Sequence, residues 1–136
     1  MLLDELLAFF QAQGIGTPGT SLFAGSQAVL PAGDGPFTRI IEYGGQPAIR
    51  AMRGTVVAEQ PRAQVCAHAR TYAAARTTAE AAYKACLHAN DAGPVALSGT
   101  IYLGLTPLQP PFDLGPDENG RAQVAWNLEA LKKVSA

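Results

Sequence analysis

The stretch that decides the fold runs from Leu97 to Lys132 and encloses the segment Thr106-Pro-Leu-Gln-Pro-Pro-Phe-Asp-Leu-Gly-Pro-Asp-Glu-Asn-Gly-Arg121. Before that segment, Ile101, Leu103 and Leu105 alternate with Tyr102, Gly104 and Thr106. After it, Val124, Trp126 and Leu128 alternate with Gln123, Ala125, Asn127 and Glu129. Period-two alternation marks strands that bury one face. It predicts two long strands with Ile101, Leu103, Leu105, Val124, Trp126 and Leu128 in the core. The connector is long for a hairpin, whose loops usually hold about two to five residues. Phe112 and Leu114 stand in it among Pro, Asp and Gly. A loop with such residues buries them against its own domain or against a partner.

Working upstream, Thr71 is placed to cap a helix over residues 72–88. Its inward side would carry Ala75, Ala79, Ala82 and Cys86 with Tyr72 and Tyr83. Arg76, Glu80, Lys84 and His88 recur every four residues outside, in favourable opposite-charge spacing. Asn90-Asp-Ala-Gly-Pro94 ends the helix. Residues 62–70 alternate Gln64, Cys66, His68 and Arg70 against Ala63, Val65, Ala67 and Ala69, a strand with one small apolar face. A stronger strand over 37–43 and a weaker one over 21–29 flank Asp34-Gly35, a hairpin signal. Residues 44–60 show no period and read as a long loop reaching out from the sheet. Leu3, Leu6, Leu7 and Phe10 fall at helical spacing, with Asp4 and Glu5 in the first turn and Gly14 as the stop. The order implies an α+β fold: a mainly antiparallel sheet of about four to five strands packed with two helices, as a single domain over residues 1–136.

Composition narrows the partners. The net charge is -1 and the sequence pI about 6.1, which gives no electrostatic case for tight binding to nucleic acid or an anionic membrane. Charged residues make up 15%, against roughly 25% in ordinary soluble chains, and burial of surface in an oligomer would account for the deficit. Two cysteines make no disulfide framework, which suits a reducing compartment. The start lacks the basic, uninterrupted apolar pattern of a signal peptide, and no run approaches the roughly 20 apolar residues of a membrane helix. The expectation is a protein of the cytosol, or of something assembled there, without a membrane.

Three motifs invite chemistry. Gly14-Ile-Gly-Thr-Pro-Gly19 matches G-x-G-x-x-G, but that motif needs a strand before it and a helix after it; here the order is reversed. Cys66-Ala-His68 and Cys86-Leu-His88 pair two potential zinc ligands twice. Residues two apart on a helix point to nearly opposite sides, so Cys86 and His88 cannot easily close one tetrahedral site, and the plainer reading is two packed thiols and two surface histidines. Asp113, Asp117, Glu118 and Asn119 crowd one loop without calcium-loop spacing, and turn chemistry accounts for Asp117 to Gly120. No catalytic, cofactor-binding or metal-ligating residue is assigned.

The Pro-Phe-x-Leu-Gly-x-Asp-Glu-x-Gly-Arg loop between two strands resembles the C-terminal half of a family of bacteriophage minor capsid proteins, read as tail terminators of long-tailed phages. Glu59-Gln-Pro-Arg-Ala-Gln-Val65 is similar to that family's lead into its central strand, and Arg70-Thr-Tyr-Ala-Ala-Ala-Arg76 to its strand-to-helix junction. The resemblance implies a non-enzymatic virion protein of the tail or neck, assembled in the host cytoplasm. It would form a ring, typically a hexamer, on the head-proximal end of the tail tube, with the tail tube protein and a head–tail connector or stopper as partners. Genomic DNA would pass through the ring without sequence-specific binding. The residues expected to make contacts with the ring or the tube are Arg50, Met52 and Arg53 in the long segment, and Phe112, Asp113, Leu114, Asp117 and Glu118 in the acidic one, since arginine and exposed apolar side chains are common interface anchors. Another neck component of similar fold is the alternative within this class. A small ligand-binding or enzymatic α+β domain is the alternative outside it, and would need a cleft with convergent polar groups and a perturbed titratable residue.

Overall fold

A computed structural model describes residues 2–25, 27–52, 54 and 56–134. Helix α1 (Leu2–Ala12) opens the chain, followed by strands β1 (Leu22–Ala24), β2 (Phe37–Arg50) and β3 (Val56–Ala69). Helix α2 (Tyr72–Leu87) comes next, then β4 (Val95–Leu97), β5 (Thr100–Pro107), β6 (Phe112–Pro116) and β7 (Ala122–Lys133). The strands form one sheet in the order β1-β2-β3-β7-β5-β4, with β6 beside β7. All neighbours are antiparallel except β1 and β2. The α+β class and the two helices stand as expected, but the described strands number seven rather than four or five.

The core lies between the two helices and one face of the sheet. Ala63, Val65, Ala67 and Ala69 of β3 and Val124, Trp126, Leu128 and Ala130 of β7 are buried there, with Leu2, Leu3, Leu6 and Phe10 from α1. Helix α2 starts at Thr71, whose Oγ1 accepts from the Ala74 N–H at 3.2 Å. It buries Ala75, Ala79, Ala82 and Cys86, side chains small enough to let the helix approach the sheet closely. Trp126 fills the space this leaves. It is fully buried and meets Tyr83 edge-on at 5.7 Å, the arrangement the aromatic quadrupole favours. Tyr72, expected inward, is instead exposed and accepts from Arg76 Nη1 at 2.8 Å.

Three expectations are corrected by strand irregularities. In β5, Ile101 and Leu103 face outward, while Tyr102 and Leu105 are buried. The register slips between Tyr102 and Gly104, which reverses the alternation part-way along the strand. The slip is held by Asn90: its Oδ1 accepts from the Leu105 N–H at 2.8 Å, and its Nδ2 donates to the carbonyls of Gly93 and Tyr102. Second, Asp34-Gly35 does not close a hairpin, since β1 runs parallel to β2. Gly35 sits at φ 76°, so close to the β3 backbone that a Cβ there would lie 2.7 Å from the His68 carbonyl.

Third, residues 44–60 are not a structureless loop. Residues 44–50 and 56–60 are the outer halves of β2 and β3, paired at Gln46↔Gln60, Ile49↔Ala58 and Arg50↔Val56 across repeated register shifts. A Cβ on Gly45 would overlap the Gln60 carbonyl, so glycine is required at that shift. Every residue of β2 from Tyr43 to Arg50 is exposed, and this is why no period-two signal survives there.

If Trp126 is the plug of this alanine-faced core, Trp126→Ala should cost about 3–5 kcal/mol. Urea unfolding monitored by far-UV circular dichroism measures this; a loss within about 1 kcal/mol of zero would contradict the packing.

Candidate assembly surfaces and a buried ionic clamp

The residues singled out from the sequence fall at two places far apart in the fold. Arg50 ends β2 and Met52 follows it in the turn of the β2–β3 arm. Met52 is fully exposed, and Ile49 and Val57 near the tip and Tyr43 at the base of the arm each have about two-fifths of their surface open. Arg50 Nη1 donates to the Gly54 carbonyl at 2.8 Å, which ties the turn. Arg53 lies outside the described residues. Lower on the arm, Gln60 Nε2 donates to the Pro47 carbonyl. At its base Arg62 meets Glu129 through two nitrogens at 2.8 Å.

Phe112, Asp113 and Leu114 form most of β6, where a loop was expected. Strands β5 and β6 run in line along the same edge of β7, broken at residues 108–111, where Pro110 and Pro111 lack the N–H groups a ladder needs. The connector is therefore one interrupted strand that ends in a tight turn. Phe112 pairs with Ala125 and is half-buried, whereas Leu114 is bulged out of register and 44% exposed. Asp113 Oδ1 accepts from the Gly115 N–H at 2.8 Å, and Gly115 sits at φ 84°, so the bulge carries its own local support. Glu118 is exposed in the turn.

Asp117 belongs to the interior. Its Oδ1 accepts from the N–H groups of Asn119 and Arg121, and its Oδ2 takes Arg121 Nε at 2.9 Å and His68 Nδ1 at 3.0 Å. Arg121 is buried; its Nη1 donates on to the Pro31 carbonyl at 3.0 Å, and its guanidinium lies 5.2 Å from the centre of the Phe37 ring. One carboxylate thus joins the β6–β7 turn, strand β3 and the segment before β2. Burial pushes the Asp117 carboxyl up, but hydrogen bonds from His68, Arg121 and Asn119 outweigh it and hold the value at about 2. Burial pushes His68 below its ordinary value against the pull of Asp117, so the imidazole is neutral at pH 7 and donates from Nδ1. His68, read from the sequence as a surface residue, is buried; His88 is exposed beside Asp91.

A cleft of about 480 Å3 opens beside the clamp, lined among others by Arg39, His68, Asp117, Arg121, Gln123 and Val29. Polar groups converge there and one titratable pair is perturbed, which is what an enzyme site would require. The chemistry of the lining points elsewhere. The near thiol, Cys66, is driven up to about 11 by burial, so it is a protonated thiol, and its contacts go to the Ala67 carbonyl and Gln123. His68 spends its proton holding Asp117, and no activated nucleophile faces it among the described residues. Cys66 and His68 lie on the sheet face away from the helices, while Cys86 is buried in the helix-side core. The two Cys-x-His pairs therefore do not meet, and among the described residues no three His, Cys, Asp or Glu side chains gather as metal ligands. The Gly14–Gly19 segment follows a helix and precedes a strand, and its Thr17 carbonyl and N–H are bonded locally. No described helix is long and apolar enough to cross a membrane.

The fold is an α+β subunit whose polar cluster braces its own structure and which exposes large apolar side chains on the arm and along the β5–β6 edge, as well as at Val29, Tyr72 and Leu87. The family model for bacteriophage tail terminator proteins matches residues 9–133, and the chain belongs to that family. It is therefore a structural component of the phage tail and of the virion. No curated protein sequence matches the chain.

The clamp makes a pH-dependent contribution whose sign is fixed. His68 binds its proton less readily folded than unfolded, so stability falls as pH drops below the ordinary value of 6.5. Asp117 adds a second loss as pH falls from 3.8 to about 2. Asp117→Asn, which leaves Arg121 buried without its counter-charge, should cost about 3–5 kcal/mol at neutral pH and flatten the acid limb. Melting temperatures across the pH range check both; a variant with the parent's profile would remove the clamp from the account.

Proposed function

We propose that the chain, acting as one domain over residues 1–136, assembles into a closed six-membered ring on the head-proximal end of the tail tube. The ring ends tube polymerisation and offers its other face to the head–tail connector or stopper protein. The mechanism is steric and interfacial, with no catalytic step, cofactor or metal. The observation that carries the reading is the family match across nearly the whole chain. The geometry supports it: exposed large apolar side chains stand on the arm (Tyr43, Ile49, Met52, Val57) and along the β5–β6 edge (Ile101, Leu103, Leu108, Leu114), where Arg50, Phe112, Asp113 and Glu118 add polar or aromatic groups. Such mixtures of arginine, apolar anchors and a polar rim suit subunit contacts. Genomic DNA would thread the ring without sequence-specific contact, in keeping with a net charge of -1. Assembly would take place in the host cytoplasm.

Native mass spectrometry of the purified protein, with tube polymerisation followed by electron microscopy, tests this. A ring of six subunits that halts tube growth at one end is expected. A protein that stays monomeric at all concentrations and leaves tube length unchanged would overturn it.

A further inference from the structure

We infer that the arm tip of one subunit docks on the β6 edge of the next, so that the two exposed surfaces are the two halves of a single head-to-tail contact. This rests on the ring reading and adds which surfaces meet. Charge complementarity carries it. The arm tip, residues 46–57, contains two arginines, Arg50 and Arg53, and no acidic residue, with Glu42 and Glu59 lying toward its base, whereas residues 109–120 contain Asp113, Asp117 and Glu118 and no basic one. Asp117 is consumed by His68 and Arg121. Asp113 and Glu118 have no cationic partner among the described residues, and Arg50 is held there only by the Gly54 carbonyl. Each surface also places an exposed apolar side chain beside its charge: Met52 and Ile49 on the arm, Leu114 on the strand.

Backbone pairing points the same way. Among the described residues, strand β6 pairs only with β7, and β2 beyond Ile40 pairs only with β3. Both therefore present an open edge, a feature that protein chains cover or use for association. The contact cannot form within one subunit. Strand β7 pairs with Ala58 of β3 at its far end, and with Cys66 to Ala69 where β6 lies alongside. Arm tip and β6 are thus separated by about ten residues of extended strand, on the order of 30 Å. A contact between unlike surfaces at opposite ends of a subunit is heterologous, the kind that closes rings when the rotation permits.

The test is a charge swap read by native mass and by analytical ultracentrifugation. Arg50→Glu and Glu118→Arg should each weaken subunit association about tenfold or more, and the two reversals combined should restore it. Melting temperatures of the variants should match the parent, since both side chains are exposed. In parallel, Met52→Cys with Leu114→Cys should be joined between subunits by a bifunctional maleimide. The native thiols will not compete, because Cys66 and Cys86 are buried and burial drives them up to about 11 and about 12. Rings that survive both single reversals, or that give no inter-subunit 52–114 link, would overturn the docking while leaving the ring standing; β6 would then face the tube or neck. A parent protein that never leaves the monomer would overturn the ring, and the docking with it.

Discussion

One carboxylate holds together parts of the chain that have little other reason to stay in place. Strand β6 is five residues long, bulged at Leu114 and flanked by prolines, so its ladder to β7 is short and irregular. Asp117 closes the turn that follows it with two backbone hydrogen bonds, and reaches β3 through His68 and the segment before β2 through Arg121. Hydrogen bonds among buried polar groups are strong because little water competes. The same low polarity makes the arrangement all-or-none: an Arg121 left without Asp117 would be a buried, uncompensated cation. The orientation of the β6 edge therefore follows from this clamp.

The clamp is also what the second face of the sheet has in place of a helix layer. On one face the helices cover Val65, Trp126 and Leu128. On the other, β2, β3 and β7 align Arg39 with Cys66 and Ala125, Ile41 with Gln64 and Asn127, and Tyr43 with Arg62 and Glu129. These rows mix polar with apolar side chains and run from buried at Cys66 and Ala125 to exposed at Tyr43. A sheet so built is covered in its middle and leaves open strand edges at the arm and at β6. For the ring proposed above this division would be useful, since contact elements would project from a fixed body. Docking an already ordered element loses less conformational entropy than ordering a loop on contact.

Where burial is one-sided and regular, the sequence was readable. The alternation in β7, the alanine stripe of α2 and the Leu/Phe spacing of α1 each lead to the observed element and its buried face. Strand β5 was readable as a strand but not in phase, because the slip after Tyr102 depends on Asn90, a residue the sequence marks only as a helix stop. The outer arm was illegible for the opposite reason: a strand exposed on both faces needs no alternation, and Gly45 and Pro47 mimic a loop. The arm tip and the acidic segment, which we propose as contacts, could be picked out from composition, and the local turn chemistry of Asp117 from spacing. The partnership of Asp117 with His68 could not, since they lie 49 residues apart and neither motif carries a trace of the other.

We propose that a fixed body presents two extremities, the arm and the β6 edge, as its assembly surfaces. Hydrogen–deuterium exchange compared between free subunits and the assembled state tests it most directly. The account predicts that protection gained on assembly is confined to the arm, residues 43–57, and to residues 109–120, while amides of α2 and the middle of β3 and β7 exchange equally slowly in both states. Protection gained over the outer face of α2, with the arm and the β6 edge exchanging as fast as in the free subunit, would contradict it.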